Sequence, residues 1–218
     1  MKPIIVVNFK AYREATGKNA VKLAKAIEEA AKRNERKVIV AVQAADIFPI
    51  SKAVKIPVFA QHVDGNSYGS FTGSVTAESI KANSAKGTIL NHAEKRIVIK
   101  EIAAAIKNCK KLGLKTLVCT DKLGGVKKLA NLHLDYIAFE DPKLIGTGRS
   151  ISKYRSKDVA KFAALLENKK IVPLCGAGVS NGEDVRAALK LGTKGVLVAK
   201  AIVKSKKPGS VLKEMLDV

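Results

Sequence analysis

The sequence predicts an α/β fold, a closed (β/α)8 barrel that forms a single domain over residues 1–218. Short apolar runs typical of buried strands alternate eight times with amphipathic segments. Repeated strand–helix units give parallel strands joined by right-handed crossovers. No linker or change of composition divides the chain. Eight units in one unbroken chain favour a barrel over a doubly wound sheet, although such barrels typically need ~250 residues and several helices must therefore be short.

The strands are predicted from apolar runs, and the helices from apolar residues three and four positions apart. In helix Gly17–Lys32, for example, Ala20, Leu23, Ala24 and Ile27 follow this spacing. In chain order the predicted strand and helix pairs are Pro3–Phe9 with Gly17–Lys32, Val38–Val42 with Asp46–Ala53, Pro57–Val63 with Thr76–Ala82, Gly87–Leu90 with Ile97–Leu112, Lys115–Cys119 with Lys122–Asn131, Tyr136–Phe139 with Ser156–Glu167, Ile171–Leu174 with Asn181–Leu191, and Gly195–Ala199 with Pro208–Leu216. Asp46 is predicted to cap its helix.

The composition is 47% hydrophobic, and the formal net charge is +21. Such a charge raises the expectation of an anionic partner. The lysines, however, are spread along the chain without an aromatic-rich basic stripe, which favours a solvated surface over a nucleic-acid site. No apolar run approaches the ~20 residues of a membrane span, and the N-terminal run is too short for a signal peptide. The three cysteines are odd in number and lack metal-binding spacing, so we expect small buried thiols and a cytoplasmic location.

The segment Tyr136–Gly148 is the most informative part of the chain. Its strand, Tyr136–Phe139, delivers one carboxylate, Glu140, at the strand's C-terminal end. A carboxylate there is costly unless it is paired, solvated or used in chemistry. Pro142 stiffens the start of the following loop, and Gly146 and Gly148 loosen its tip, a composition typical of a lid. The alternative is a solvated Glu before an ordinary surface loop.

Other strand ends supply complementary groups. Asn8 and Lys10 leave the first strand on one face, since they are two residues apart. His92 follows the fourth strand, where it could also simply cap a turn. The Gly176-Ala177-Gly178 turn and the Ala199-Lys200 pair follow the last two strands, where barrels often bind phosphate. One carboxylate, one imidazole, one ammonium and a phosphate cradle suit proton transfer beside the carbonyl of a phosphorylated sugar.

Six segments spread over the chain resemble the triosephosphate isomerase family, in its short archaeal form. They occur in the order of the family, and their ordered combination is specific although each one is short. They are NFKAY (Asn8–Tyr12), FAQHVD (Phe59–Asp64), GTILNHAEKR (Gly87–Arg96), FEDPKLIGTG (Phe139–Gly148), CGAGVSNGEDV (Cys175–Val185) and GTKGVLVA (Gly192–Ala199). The resemblance implies the TIM barrel fold and the interconversion of triose phosphates through an enediolate, in glycolysis and gluconeogenesis.

The resemblance also implies roles for individual residues. Glu140 is the catalytic base, neutral His92 is the electrophile and proton shuttle, and Lys10 stabilises negative charge with Glu94 orienting it. The implied substrate-binding residues are Asn8, Phe9, Lys10, Ile145, Gly146, Gly178, Ala199 and Lys200. No metal or cofactor is implied, because the carbonyl of the substrate accepts the electrons. The implied partners are a small phosphorylated triose and further copies of the chain, with a homotetramer favoured over a dimer.

Three positions depart from the family pattern. Ala93 stands where Ser is usual, which leaves the resting position of Glu140 open. Asp141 stands where Pro is usual, at the start of the lid. Lys200 replaces the Ser of an Ala-Ser pair; its ammonium could turn toward the phosphate, but we expect it to extend outward into solvent.

Two other functions are compatible with parts of this pattern. Another phosphosugar-binding barrel enzyme would share the glycine cradle but not the combination of Asn8, Lys10, His92 and Glu140. A barrel that now binds nucleic acid would explain the charge, and its binding would weaken steeply with salt.

Overall fold

The barrel closes completely in the structure, a computed structural model that describes residues 3–32 and 37–218. Eight parallel strands in these residues pair in sequence order, and the last pairs with the first. The strands are β1 (Ile4–Asn8), β2 (Val38–Val42), β3 (Val58–Ala60), β4 (Gly87–Leu90), β5 (Lys115–Thr120), β6 (Tyr136–Phe139), β7 (Val172–Gly176) and β8 (Gly195–Val198). The predicted α/β barrel is confirmed, and all strand C-termini therefore meet at one end.

Helices follow the strands as predicted, with two additional short ones. They are α1 (Lys18–Lys32), α2 (Ile47–Ala53), α3 (Ala77–Ala82), α4 (Ile99–Lys111), α5 (Leu123–Ala130), α6 (Ile151–Tyr154), α7 (Ser156–Ala164), α8 (Gly182–Lys190), α9 (Lys200–Val203) and α10 (Pro208–Leu216). The extra helices, α6 and α9, have only four residues each. Both begin beside the mouth of the barrel, and such short segments carry too little periodicity to be read from sequence.

Side chains alternate between the inside and the outside of the barrel. In β1, Val6 belongs to the apolar cluster that fills the barrel, and Ile4 packs against that cluster. Ile5 and Val7 belong to the layer between the sheet and the helices. Because successive side chains of a strand point to opposite faces, Asn8 continues the inward series of Ile4 and Val6.

Closure between β8 and β1 depends on a glycine. A Cβ atom at Gly195 would lie 2.0 Å from the carbonyl oxygen of Ile4. No side chain fits at this distance, so Gly195 lets the two strands approach closely enough to pair.

The predicted cap of α2 is wrong. Asp46 makes no side-chain hydrogen bond to its own helix. Its Oδ1 instead accepts a hydrogen bond from the backbone N–H of Gly17, at 3.0 Å. The buried Asp46 therefore ties the start of α1 to the end of β2, because a long-range backbone donor takes the place of the local one.

Candidate active site

A cavity of about 450 Å³ opens at the C-terminal ends of the strands. It brings together nearly all of the predicted site residues, which come from distant parts of the sequence. Its lining includes Asn8, Lys10, His92, Glu140, Ile145, Gly146, Gly178, Ala199 and Lys200. The barrel topology is the cause, since each of these residues ends a strand, lies in the loop after one or, for Lys200, begins the helix that follows β8.

Glu140 presents one unpartnered carboxylate oxygen, Oε2, to this cavity. Its backbone N–H is fixed by the Thr120 carbonyl at 2.9 Å, but the buried Oε2 atom has no hydrogen-bond partner within the described chain. Only 4% of the residue is exposed. A carboxylate oxygen that is buried without a partner is costly to fold and free to accept a proton.

Gly176 lies directly against the side chain of Glu140. A Cβ atom at this position would lie 2.6 Å from Oε1 of Glu140 and 3.0 Å from its Cγ. Because Gly176 has no side chain, the Glu140 carboxylate can occupy this space. Sequence reasoning assigned Gly176 to a phosphate turn and missed this contact, because the two residues lie on different strands.

Asn91 sets the direction of His92. Its backbone has a φ of 56°, in the left-handed region. Its side chain donates to the Cys119 carbonyl at 2.9 Å and accepts from the N–H of Ile97 at 3.1 Å. These bonds hold the chain in a conformation that non-glycine residues rarely adopt, and such strain is typical of functional sites.

The hydrogen bonds of His92 define which ring nitrogen carries the proton. Nδ1 accepts a hydrogen bond from the backbone N–H of Glu94 at 3.2 Å. An accepting Nδ1 carries no proton, so the neutral ring is protonated on Nε2. Nε2 lies 3.6 Å from Oε2 of Glu140, too far for a hydrogen bond. The donor and the carboxylate therefore reach the same part of the cavity without being bonded to each other.

Lys10 supplies a largely buried cation to the site. Its ammonium pairs with Oε1 of Glu94, and only 10% of its side chain is exposed. Its backbone N–H donates to Oδ1 of Asn8 at 3.0 Å, and its φ is 50°. Asn8 thus stabilises the turn that carries Lys10 into the cavity, and Glu94 contacts both Lys10 and His92 without lining the cavity itself.

The opposite wall of the cavity is made of glycine backbone. Gly178 has a φ of 70°, and a Cβ atom there would lie 2.0 Å from the carbonyl oxygen of Arg149. The described chain provides no acceptor for the N–H groups of Gly178 and Gly146. Unpaired N–H groups that line a cavity are suited to binding an anion. Ala177, between the strand and Gly178, also has a left-handed φ, of 72°.

Phe9 lies outside the cavity. It is fully buried in the layer between the sheet and the helices, because alternation along β1 turns it away from Asn8. The prediction that Phe9 contacts substrate therefore has no support in the structure. Conversely, the cavity includes Tyr12 and Ser180, which sequence reasoning did not select.

The buried thiols around Glu140 are inert. Burial raises the pKa of Cys119 well above its ordinary value, and the charge and hydrogen bond of Glu140 raise it further. Burial also raises the pKa of Cys175 to about 12. Neither thiol is therefore a nucleophile at neutral pH, and within the described residues no cluster of side chains could hold a metal ion.

The family model for triosephosphate isomerase matches residues 3–215. The chain belongs to the triosephosphate isomerase family. The triosephosphate isomerase of Methanocaldococcus jannaschii is 43% identical over 215 residues, which are 98% of each chain. That of Methanosarcina barkeri is 41% identical over 98% of this chain and 97% of its own. Interconversion of triose phosphates is accordingly the activity of this chain.

A solved triosephosphate isomerase from Bartonella henselae shares the fold. It superposes with a TM-score of 0.77 over 100% of this chain and 98% of its own, at 18% identity. Identity this low supports the barrel architecture alone. Within the described residues, no helix has both the length and the apolar character needed to cross a membrane.

At the start of the loop after β6, this chain has a charged residue, Asp141, where the family pattern has Pro. Oδ2 of Asp141 accepts a hydrogen bond from Arg155 at 3.0 Å, and Oδ1 accepts one from the N–H of Lys143 at 2.9 Å. Arg155 also pairs with Asp158 at 2.7 Å. The hinge is thus held by an ion pair between the lid and the α6–α7 junction, in place of a proline ring.

Lys200 is exposed, as expected, but it does not simply extend into solvent. Its Nζ donates a hydrogen bond to the carbonyl oxygen of Gly146 at 3.1 Å, and the residue lines the cavity. The cause is the shape of the lid, because its tip presents a free carbonyl within reach of the first residue of α9. Ala93, the third departure, provides no hydroxyl near Glu140, consistent with the unpartnered Oε2.

Proposed function

We propose that Glu140 is the base with which this chain interconverts dihydroxyacetone phosphate and D-glyceraldehyde 3-phosphate. The observation that carries the proposal is the buried, unpartnered Oε2 of Glu140, 3.6 Å from Nε2 of His92 in one cavity. Oε2 removes the proton from the carbon beside the carbonyl, and the C–H electron pair forms the carbon–carbon double bond of an enediolate. The same carboxyl then returns a proton to the neighbouring carbon.

His92 and Lys10 stabilise the enediolate in this proposal. The Nε2–H of His92 donates to the oxygen on which negative charge develops and moves a proton between the two oxygens of the intermediate. The ammonium of Lys10 adds a positive charge next to the same oxygens. Both groups are held in place before the substrate arrives, by Glu94 and Asn8, so little reorganisation is needed during the reaction.

The phosphate is bound by backbone. We assign it to the N–H groups of Gly146 and Gly178, which are unpaired in the described chain, with Ile145, Ala199 and Lys200 completing the lining. A lid over residues 141–149 would exclude water, so that the enediolate is protonated before it can lose phosphate.

We also propose that the chain acts as a single barrel domain in a homo-oligomer, with a tetramer favoured over a dimer. Large apolar side chains are exposed on several surface segments: Tyr68 and Phe71, 83% and 51% exposed, after β3; Val98 and Ile99, 63% and 51% exposed, at the start of α4; Phe48, 50% exposed; and Tyr154, 57% exposed. Exposed apolar surface of this kind suits contacts between subunits. Light scattering on the purified protein measures the number of subunits.

The location and further partners are proposals as well. The three buried cysteines are free, which suits the reducing cytoplasm, where the glycolytic and gluconeogenic use of this reaction would take place. We propose no nucleic-acid partner, since the cavity explains the recognition of an anion without one.

A coupled assay of triose phosphate interconversion tests the catalytic proposal. Wild type should interconvert both triose phosphates, and Glu140→Gln, which keeps the shape but removes the base, should lose at least about a thousandfold in kcat. Glu29→Gln is the matched control, because this exposed carboxylate pairs with surface Lys32 in α1 and its loss should leave kcat unchanged. Near-normal turnover by Glu140→Gln would refute the assignment.

A further inference from the structure

Lys200 connects the lid to the body of the barrel. It is the first residue of α9, directly after β8, and its ammonium donates to the carbonyl oxygen of Gly146, 54 residues away in sequence. Gly146 lies at the tip of the lid with a φ of 75°. In the described chain Lys200 has no carboxylate partner, so this carbonyl is its only hydrogen-bond acceptor.

The rest of the lid is held at its ends. Asp141 binds Arg155 at the start, and at the end the N–H of Ile151 donates to Ala177. Between them, the described hydrogen bonds of residues 142–148 other than that of the Gly146 carbonyl stay within the lid, such as that from Thr147 to the Leu144 carbonyl at 2.8 Å. Among the described residues, the Lys200 bond is the one hydrogen bond that joins the middle of the lid to another element.

The position of this bond ties it to phosphate binding. Gly146 offers its N–H to the proposed phosphate site and its carbonyl to Lys200. Holding the carbonyl fixes the orientation of the loop that presents the N–H. Lys200 also lines the cavity, as Gly146 and Gly178 do.

We propose that Lys200 is a positioning residue that holds the lid over the cavity through the Gly146 carbonyl. This inference rests on the proposed function for its catalytic consequence, because a lid held closed protects the enediolate. If the lid opens early, the carbon–oxygen bond to phosphate breaks, the enediolate electron pair expels inorganic phosphate, and the remaining three-carbon enol becomes a 2-oxoaldehyde.

The first test compares Lys200→Met with Lys206→Met. Both lysines are exposed and each substitution removes one positive charge, but Lys206 lies outside the cavity. Lys200→Met should release roughly five- to tenfold more inorganic phosphate per isomerisation, with kcat for isomerisation lowered only a few-fold. Lys206→Met should match wild type, and Lys200→Arg, which can still donate to the carbonyl, should restore most of the protection.

Two outcomes would overturn the inference. An unchanged phosphate-release ratio with a KM raised about tenfold would make Lys200 a phosphate ligand without a role in the lid. No change in either quantity would make it a solvated surface lysine.

A second measurement is independent of turnover. In the ligand-free protein, Lys200→Met should speed amide hydrogen exchange at Leu144 and Thr147 several-fold by NMR, because their N–H bonds depend on an ordered lid. Lys206→Met should leave both rates unchanged. Equal exchange in wild type and Lys200→Met would contradict the inference even if the protein isomerises triose phosphates, whereas faster exchange in an inactive protein would contradict only the proposed function.

Discussion

Gly176 leaves free the space that the Glu140 carboxylate occupies: a Cβ atom at position 176 would lie 2.6 Å from Oε1 of Glu140. The three nearest atoms to that Cβ all belong to the Glu140 side chain, and none to the backbone. A methyl group at this position would therefore move the carboxylate rather than the barrel.

Gly176→Ala should consequently reduce activity without unfolding the protein. We expect kcat to fall about a hundredfold, because a displacement on the order of 1 Å of a reacting group can cost that much, while the thermal midpoint changes little. Gly124→Ala, in α5, is the control, since a Cβ atom there meets nothing within 4 Å. Wild-type kcat in Gly176→Ala would show that the missing side chain at position 176 does not set the position of Glu140.

His92 should be neutral at pH 7, with its proton on Nε2. The Glu94 N–H donates to Nδ1, and a doubly protonated ring could not accept that bond. Nitrogen-15 NMR should show one protonated and one unprotonated ring nitrogen. His92→Gln should lower kcat by at least about a hundredfold, because an amide donates but cannot relay a proton between two oxygens. A ring protonated on both nitrogens at pH 7 would be inconsistent with the role assigned to His92.

Removing the charge of Lys10 should weaken binding and turnover together. Lys10→Met keeps the stem and loses the ammonium, and we expect kcat/KM to fall on the order of a hundredfold. The remaining surface lysines cannot compensate, since charges beyond ~8 Å are screened at physiological salt. Lys18→Met, exposed at the start of α1, is the control. If salt reduced activity strongly and Lys10→Met did not, the general positive field would be responsible instead.

The sequence predicts the catalytic positions because each ends an apolar strand, and parallel strands in a closed barrel must bring their ends together. Asn8, His92 and Glu140 are placed by this rule alone. Phe9 was selected with its neighbours in a matching segment, but the alternation of side chains along β1 excludes it from the cavity. A match to a family segment includes every residue of that segment, whereas only every second side chain of a strand points toward the cavity.

Contacts between side chains on different loops could not be predicted in the same way. Lys200 is predicted to extend outward because Lys10 already supplies a charge and the glycine cradle leaves little room for another side chain, whereas its acceptor in the structure is a backbone carbonyl 54 residues away. The contact between Gly176 and Glu140 is unpredictable for the same reason, since it exists only when β6 and β7 lie side by side. Asp46 likewise accepts a hydrogen bond from a distant residue, Gly17, and not from its own helix.

Above pH 9 the buried thiols should make stability fall as pH rises. Burial raises the pKa of Cys109 to about 12 from an ordinary value of 9.0. Below pH 9 the Cys109 thiol is protonated in both the folded and the unfolded protein, so stability does not change with pH through this group. Above that, only the unfolded state loses the proton, and stability falls by up to about 1.4 kcal/mol per pH unit for this thiol until pH reaches about 12.

Urea unfolding at pH 8, 9 and 10 measures this slope. Cys109→Ala should be less stable than wild type at pH 8 but should lose less stability between pH 9 and 10. Parallel pH profiles for the two proteins would show that the thiol does not titrate on unfolding.

Isomerisation in D₂O, followed by proton NMR, tests the central claim most directly. If Glu140 removes the proton to form an enediolate, wild type should convert dihydroxyacetone phosphate to glyceraldehyde 3-phosphate that carries deuterium at carbon 2, because the proton on the carboxyl exchanges with solvent. Glu140→Gln should abolish isomerisation and deuterium incorporation together. Incorporation at the wild-type rate in Glu140→Gln, or wild-type isomerisation with no deuterium in any product, would contradict the account.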